Sequence, residues 1–143
     1  MSELSEILAV KGGDVLRIEA DASVFEAVSR MVEANVGSLL VLEDGEVAGI
    51  DTERDYLRRC ALEERTDRET EVREIMSSPL VVATPETTVD ECMALMTDRR
   101  IRHLPVVDEG EIVGLVSIGD LVKFKSDRQT FEIQYLTDYI TAG

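Results

Sequence analysis

A chain of 143 residues with 44% apolar content can bury one compact core or two very small ones, and without tryptophan that core must be aliphatic. A net charge of −15 sets the chain against nucleic acid and anionic membranes, which attract cationic surfaces. No apolar run is long enough for a membrane span, and the N-terminus lacks a signal-peptide pattern. With one histidine, and with Cys60 and Cys92 outside any CxxC or Cys/His cluster, no metal site is expected. The thiols fit a reducing, cytoplasmic setting.

Residues 2–10 read as a short helix with Leu4, Ile7 and Leu8 on one side, stopped at Gly12-Gly13. Val15 to Ile18 suits a strand. Ser23, with Glu26 three residues on, has the form of a capping box for a helix to about Ala34. Ser38–Leu42 and Val47–Ile50 flank a Gly-containing turn and predict a hairpin. Thr52 then caps a helix through Tyr56, Leu57, Cys60 and Leu62, with Glu53 and Asp55 in its first turn. Residues 63–71 are almost wholly polar and read as a solvated linker or frayed helix end. Apolar spacing resumes over Val72–Met76, and Leu80–Ala83 suits a strand. Thr88 and Glu91 repeat the capping pattern before a helix carrying Val89, Cys92, Met93, Leu95 and Met96 inward. A second hairpin covers Leu104–Val107 and Ile112–Val116, and a helix follows through Leu121, Val122 and Phe124. The tail, 126–143, spaces Phe131, Tyr135, Leu136, Tyr139 and Ile140 as a helix face.

The order strand, capped helix, hairpin, short helix occurs twice. A shift of 65 positions overlays residues 15–57 on 80–122 without a gap. Val24 meets Val89, Met31 meets Met96, Leu39 meets Leu104, Gly49 meets Gly114, Thr52 meets Ser117 and Asp55 meets Asp120. Such a repeat takes precedence over other fold evidence. Each copy is too small for a good core alone.

Each copy ends in G-h-h-[ST]-x-x-D, with h apolar: Gly49-Ile50-Asp51-Thr52-Glu53-Arg54-Asp55 and Gly114-Leu115-Val116-Ser117-Ile118-Gly119-Asp120. This duplicated pattern resembles the paired cystathionine-β-synthase domains, the CBS pair or Bateman module, in its small stand-alone prokaryotic form. The resemblance implies an α/β (α+β) fold of two tandem β-α-β-β-α repeats packed sheet to sheet with pseudo-twofold symmetry. It divides the chain into an N-terminal helix (1–14), a first repeat (15–68), a second repeat (69–125) and a helical tail (126–143). Two departures stand out. Asp51 takes a place where an apolar or small residue is usual, and Gly37-Ser38 stands where the second copy has Arg102-His103.

Cations enter the second hairpin at Arg102 and His103, and a hydroxyl and carboxylate leave it at Ser117 and Asp120. That placement suits an anionic, hydroxyl-bearing ligand, since arginine can grip phosphate and a carboxylate accepts from adjacent hydroxyls. Helix capping explains Ser117–Asp120 and Thr52–Asp55 equally simply. The resemblance implies ribose contact for both aspartates and phosphate contact for Arg102 and His103. Arg54, Arg58, Arg59 and Lys11 are further candidate phosphate contacts for the first copy's site, and a solvated or salt-bridged helix face explains them at least as well. Pro105, Ile118, Val82 and Ile18 are candidate adenine walls, with Thr84 at the ligand edge. The cationic entry favours the second copy as the tighter phosphate-bearing site.

The function expected is a non-enzymatic regulatory sensor. It would bind an adenine nucleotide between the repeats, AMP foremost, with ADP, ATP or NAD(H) as other candidates, and signal to an unidentified protein target. Homodimerisation through the helices is expected from the resemblance. A ligand-free dimerisation scaffold is the alternative. Catalysis is disfavoured, because the sequence has no nucleophile arrangement, metal-ligand cluster or Gly-rich phosphate loop.

Overall fold

The computed structural model describes residues 2–78 and 80–129, so the apolar tail positions Phe131, Tyr135, Leu136, Tyr139 and Ile140 lie outside the described residues. The chain divides into two compact units, one of residues 14–81 and one of residues 1–13 with 82–143.

The contiguous unit holds β1 (Arg17–Glu19), α2 (Val24–Ala34), β2 (Ser38–Glu43), β3 (Glu46–Thr52) and α3 (Glu53–Tyr56). Its sheet runs β1-β2-β3, parallel then antiparallel. α2 is amphipathic, and Val24, Ala27 and Met31 turn inward. Ile18, Ala20, Leu39, Val41 and Val72 complete a buried cluster with Ala27 and Met31. Ser23 caps α2 by accepting the Glu26 N–H at 3.1 Å. The expected return bond from Glu26 does not form, because its carboxylate takes Arg30 at 2.9 Å instead. The helix after Thr52 is α-helical for one turn and then widens into a π turn over Leu57–Ala61. That turn buries Cys60 while leaving Leu57 and Leu62 exposed.

The other unit holds α1 (Leu4–Lys11), α4 (Val89–Arg99), β4 (His103–Asp108) and β5 (Glu111–Ser117), and residues 118–129 are helical. β4 and β5 pair antiparallel. Both hairpins turn on residues of positive φ: Asp44 and Gly45 in one, Glu109 and Gly110 in the other. This conformation matches the twist of the flanking strands.

The strand expected over Leu80–Ala83 shrinks to a single bridge, Ala83 with Val106. Proline explains the loss. In the first copy the Leu40 N–H donates to the Leu16 carbonyl. The matching residue on β4 is Pro105, which has no N–H to offer.

Residues 63–71 are no frayed linker. The Val24 N–H donates to the Thr70 carbonyl and the Phe25 N–H to the Asp67 carbonyl, so this loop satisfies the open N-terminal donors of α2. Arg68 lies 3.9 Å over the Phe25 ring. Residues 72–76, where apolar spacing resumes, hold one 3-10 turn over Val72–Glu74.

The segment 69–81, placed with the second repeat by sequence, is compact with the first copy's sheet. The N-terminal helix is compact with the second copy's hairpin. These two leading segments match each other at a shift of 68, not 65. The Leu4 N–H donates to Thr87 O and the Val72 N–H to Ala22 O; Val89 donates to Ser2 O and Val24 to Thr70 O. Glu6 and Glu74 accept from the N–H of Glu3 and Glu71 at 2.8 and 2.7 Å. Leu8 and Met76 each press on a strand glycine. A Cβ on Gly114 would lie 2.5 Å from Leu8 Cδ2, and one on Gly49 would lie 2.7 Å from the Ser77 carbonyl oxygen. Gly49→Ala is therefore expected to cost about 1–3 kcal/mol. Gly114→Ala should cost less, because a leucine end can rotate whereas Ser77 is fixed to Ile50 by two backbone bonds. Urea midpoints of the two variants check that order.

Candidate functional site

The second hairpin brings Ser117 and His103 face to face as register partners. Cross-strand partners have neighbouring side chains, so a hydroxyl and an imidazole share one edge. The Ile118 N–H donates to the Arg102 carbonyl at 2.8 Å, which ties the helix start to the strand entry. Arg102 itself is exposed and His103 half-buried. At the turn, the Ser117 N–H donates to Asp120 Oδ2 at 2.8 Å and the Asp120 N–H donates to Ser117 Oγ at 3.1 Å. Ser117–Asp120 is thus a helix cap as well as a candidate ligand contact.

Lys11 completes the group. It ends α1, and its ammonium donates to Asp120 Oδ2 at 2.5 Å and to the Leu115 carbonyl at 2.8 Å. Burial raises the Asp120 carboxyl, but the bonds from Lys11 and Ser117 outweigh it and hold the group below its ordinary 3.8. Its bonds to the fold are in place above about pH 4 and are lost as acid protonates it below that. Asp120 Oδ1 takes none of these bonds. The side chains of Lys11 and Asp120 remain 39% and 28% exposed, open to a ligand.

Thr84 and Pro105 lie at the opposite edge of β4, where the Ala83 N–H donates to the Pro105 carbonyl. Pro105 is buried. The exposed Thr84 hydroxyl is 3.3 Å from that of Thr87. Ile118 is half-buried beside Ser117, and Val82 is exposed.

The first copy builds the same turn and closes it. Asp55 is 8% exposed. Its Oδ2 accepts from the Thr52 N–H at 3.1 Å and the Thr52 hydroxyl at 3.0 Å, and its Oδ1 accepts from the Ser77 hydroxyl at 3.0 Å. Both oxygens therefore serve the fold. Ser77 holds the place that Lys11 holds in the other unit, bonded to the strand carbonyl and to the aspartate. Arg59 is spent on the Ile75 and Met76 carbonyls, at 3.2 and 2.9 Å. Arg54 and Arg58 are exposed, and Ile18 is buried in the core.

Sequence reasoning passed over Ser77, which looked only like the end of an apolar run. The 68-residue match of the leading segments pairs Ser77 with Ala9 and Lys11 with Pro79, so no sequence offset links the two residues that reach the aspartates. Asp51 was noted only as a departure. It is 1% exposed, in the strand position that Val116 fills in the second copy. Its Oδ1 has no hydrogen-bond partner. Burial first, and then neighbouring Asp55, push its carboxyl up to about 7.

The cysteines offer no chemistry. Both are buried. Burial pushes the Cys92 thiol up to about 11 and raises Cys60 as well, so neither supplies a thiolate. Among the described residues there is no cluster of metal-ligating side chains, and no helix is long and apolar enough to cross a membrane.

Known proteins share this architecture. A putative signal-transduction protein with CBS domains from Burkholderia ambifaria superposes with a TM-score of 0.82 at 43% identity, over 85% of this chain and 92% of that one. A hexameric CBS-CP12 protein from bloom-forming cyanobacteria superposes with a TM-score of 0.78 at 33% identity, over 87% and 72%. The mitochondrial CBS domain-containing protein CBSX3 of Arabidopsis thaliana is 42% identical over 149 residues, covering 98% of this chain and 72% of that protein. CBS domains are regulatory rather than catalytic modules and typically bind adenosine ligands. Residues 5–61 and 72–127 each match the family described as CBS domain, and the chain belongs to that family as a tandem CBS-domain protein.

Proposed function

We propose that the chain is a non-enzymatic, cytoplasmic sensor that binds an adenine nucleotide, AMP foremost, at the Ser117–Asp120 turn and signals to a protein partner. The observation that carries this reading is the contrast between the two aspartates. Asp120 is accessible, its Oδ1 accepts none of the turn and lysine bonds, Lys11 pairs with it, and its turn partner Ser117 faces His103, next in sequence to the exposed Arg102. Asp55 is buried with both oxygens bonded internally. A ribose diol can donate to the first, and neighbouring cations suit a phosphate. ADP, ATP and NAD(H) share that chemistry and belong in the same panel. A saturating nucleotide at a hundred times its dissociation constant stabilises the fold by about 2.7 kcal/mol, a shift of a few degrees in Tm. Melting the protein with millimolar AMP, ADP, ATP, NADH and GMP tests this. Adenine nucleotides should raise Tm and GMP should not; no shift with any of them ends the proposal.

A second reading rests on a separate feature. Between α2 and α3 lies a groove of about 370 Å³ lined by Val28, Met31, Val32, Val36, Tyr56 and Leu57 among others. Val32 and Leu57 are 73% and 60% exposed there. A second copy of the chain covering this face would make a homodimer, which serves a ligand-free scaffold as readily as a sensor. Light scattering combined with the nucleotide panel separates the two: a dimer that no nucleotide stabilises favours the scaffold.

A further inference from the structure

Lys11 bears on which ligands the Asp120 carboxylate accepts. Its ammonium already occupies Asp120 Oδ2, the oxygen that the turn also uses, and it holds the Leu115 carbonyl as well. A ribose diol that donates to both oxygens of this carboxylate must weaken or displace that contact at Oδ2. The backbone of α1 cannot retreat with it, because Leu4 and Ile7 are buried. The lysine side chain can move, being 39% exposed on a flexible stem.

We infer that Lys11 makes the site selective for phosphorylated over unphosphorylated nucleosides, by exchanging the Asp120 carboxylate for the ligand's phosphate when a nucleotide binds. This rests on the nucleotide-sensor reading above. A nucleoside that takes Asp120 leaves the ammonium with only the Leu115 carbonyl and water, so it gains one contact by spoiling another. A nucleotide brings its own anion, and the displaced ammonium recovers an ion pair. Ammonium is suited to this exchange, since it is a compact point charge whose three donors need no fixed plane. The first unit has no equivalent device. Ser77 holds the matching place there with a neutral hydroxyl, which has no charge to transfer.

Calorimetric titration of AMP and of adenosine into the wild-type chain and into Lys11→Met tests the exchange. The wild type should prefer AMP. In Lys11→Met, adenosine should bind more tightly, AMP more weakly, and the AMP-to-adenosine preference should fall at least tenfold. Lys11→Arg, which keeps the charge, should retain most of the preference. A melting curve for each variant confirms folding, which the half-exposed position of Lys11 should permit. If Lys11→Met binds AMP and adenosine in the wild-type ratio, the inference is overturned and the sensor reading survives. If the folded wild type binds neither, both fall together.

Discussion

Replacing Asp51 with valine should stabilise the protein at pH 8, by up to about 4 kcal/mol. The figure follows from a carboxyl pushed from 3.8 to about 7, at about 1.4 kcal/mol for each pK unit. A raised folded-state value has a definite sign. The burden of the buried charge is absent below about pH 4, where Asp51 is protonated in both folded and unfolded chains. It grows as pH rises toward 7 and is constant above that. Against a typical net stability of 5–15 kcal/mol, this is a large fraction. Valine suits the position because Val116 fills the matching place in the second copy and is 0% exposed there. It also removes the unpartnered Oδ1 and a charge facing Asp55. Urea unfolding of wild type and Asp51→Val at pH 5, 6, 7 and 8 measures the difference. The gap should widen from pH 5 to pH 7 and then level; a gap that ignores pH would show that Asp51 carries no such charge.

The two aspartates of the repeated turn should part company when each is changed to alanine. Asp120→Ala should weaken AMP binding about a hundredfold or more, because two hydrogen bonds to a charged acceptor, each contributing about 1.5–3 kcal/mol, are lost at once. Asp55→Ala should leave AMP affinity within a fewfold of wild type and lower stability instead. Its removal strips an acceptor from the Thr52 N–H, the Thr52 hydroxyl and the Ser77 hydroxyl. Unmet donors of this kind cost about 1–3 kcal/mol each when they stay buried. Part of that loss is offset, since Asp51 is relieved of a like charge. Titration and chemical unfolding on the same two proteins read both effects. Loss of AMP binding in Asp55→Ala, with binding kept in Asp120→Ala, would reverse the assignment of the sites.

Much of this was legible in the sequence, and the exceptions have physical causes. The long helices α2 and α4, both hairpins and the capping hydroxyls of Ser23, Thr52, Thr88 and Ser117 follow from periodicity and turn chemistry that operate within a few residues. The repeat itself lay open to a single gapless shift. What escaped was set by partners far along the chain. Pro105 removes a donor that a strand near residue 80 would need, and nothing local to residues 80–83 reveals that. Residues 63–71 look like solvated linker by composition, yet their carbonyls are what α2 requires at its start. At the site, sequence grouped Arg102, His103, Ser117 and Asp120, and the structure pairs His103 with Ser117 and bonds Ser117 to Asp120. Sequence reasoning assigned Lys11 to the first copy's phosphates, whereas the structure bonds Lys11 to Asp120 of the second, a pairing across 109 positions that no local pattern reveals. It ranked the second copy's site higher on its cations alone; the two aspartates, whose motifs match, are told apart by burial and Ser77.

The crossed leading segments bear on ancestry. Each copy of the repeat carries, ahead of its own sheet, the piece that completes the other copy's unit. A lone half-chain of the ancestral kind would therefore have been incomplete by itself. Two such halves could finish one another by trading arms, and fusion into one polypeptide would have made that trade permanent. The same logic sets where the chain can be divided. A cut between residues 68 and 69 leaves both fragments holding the wrong arm, so separately each should stay unfolded, and mixed together they should reassemble.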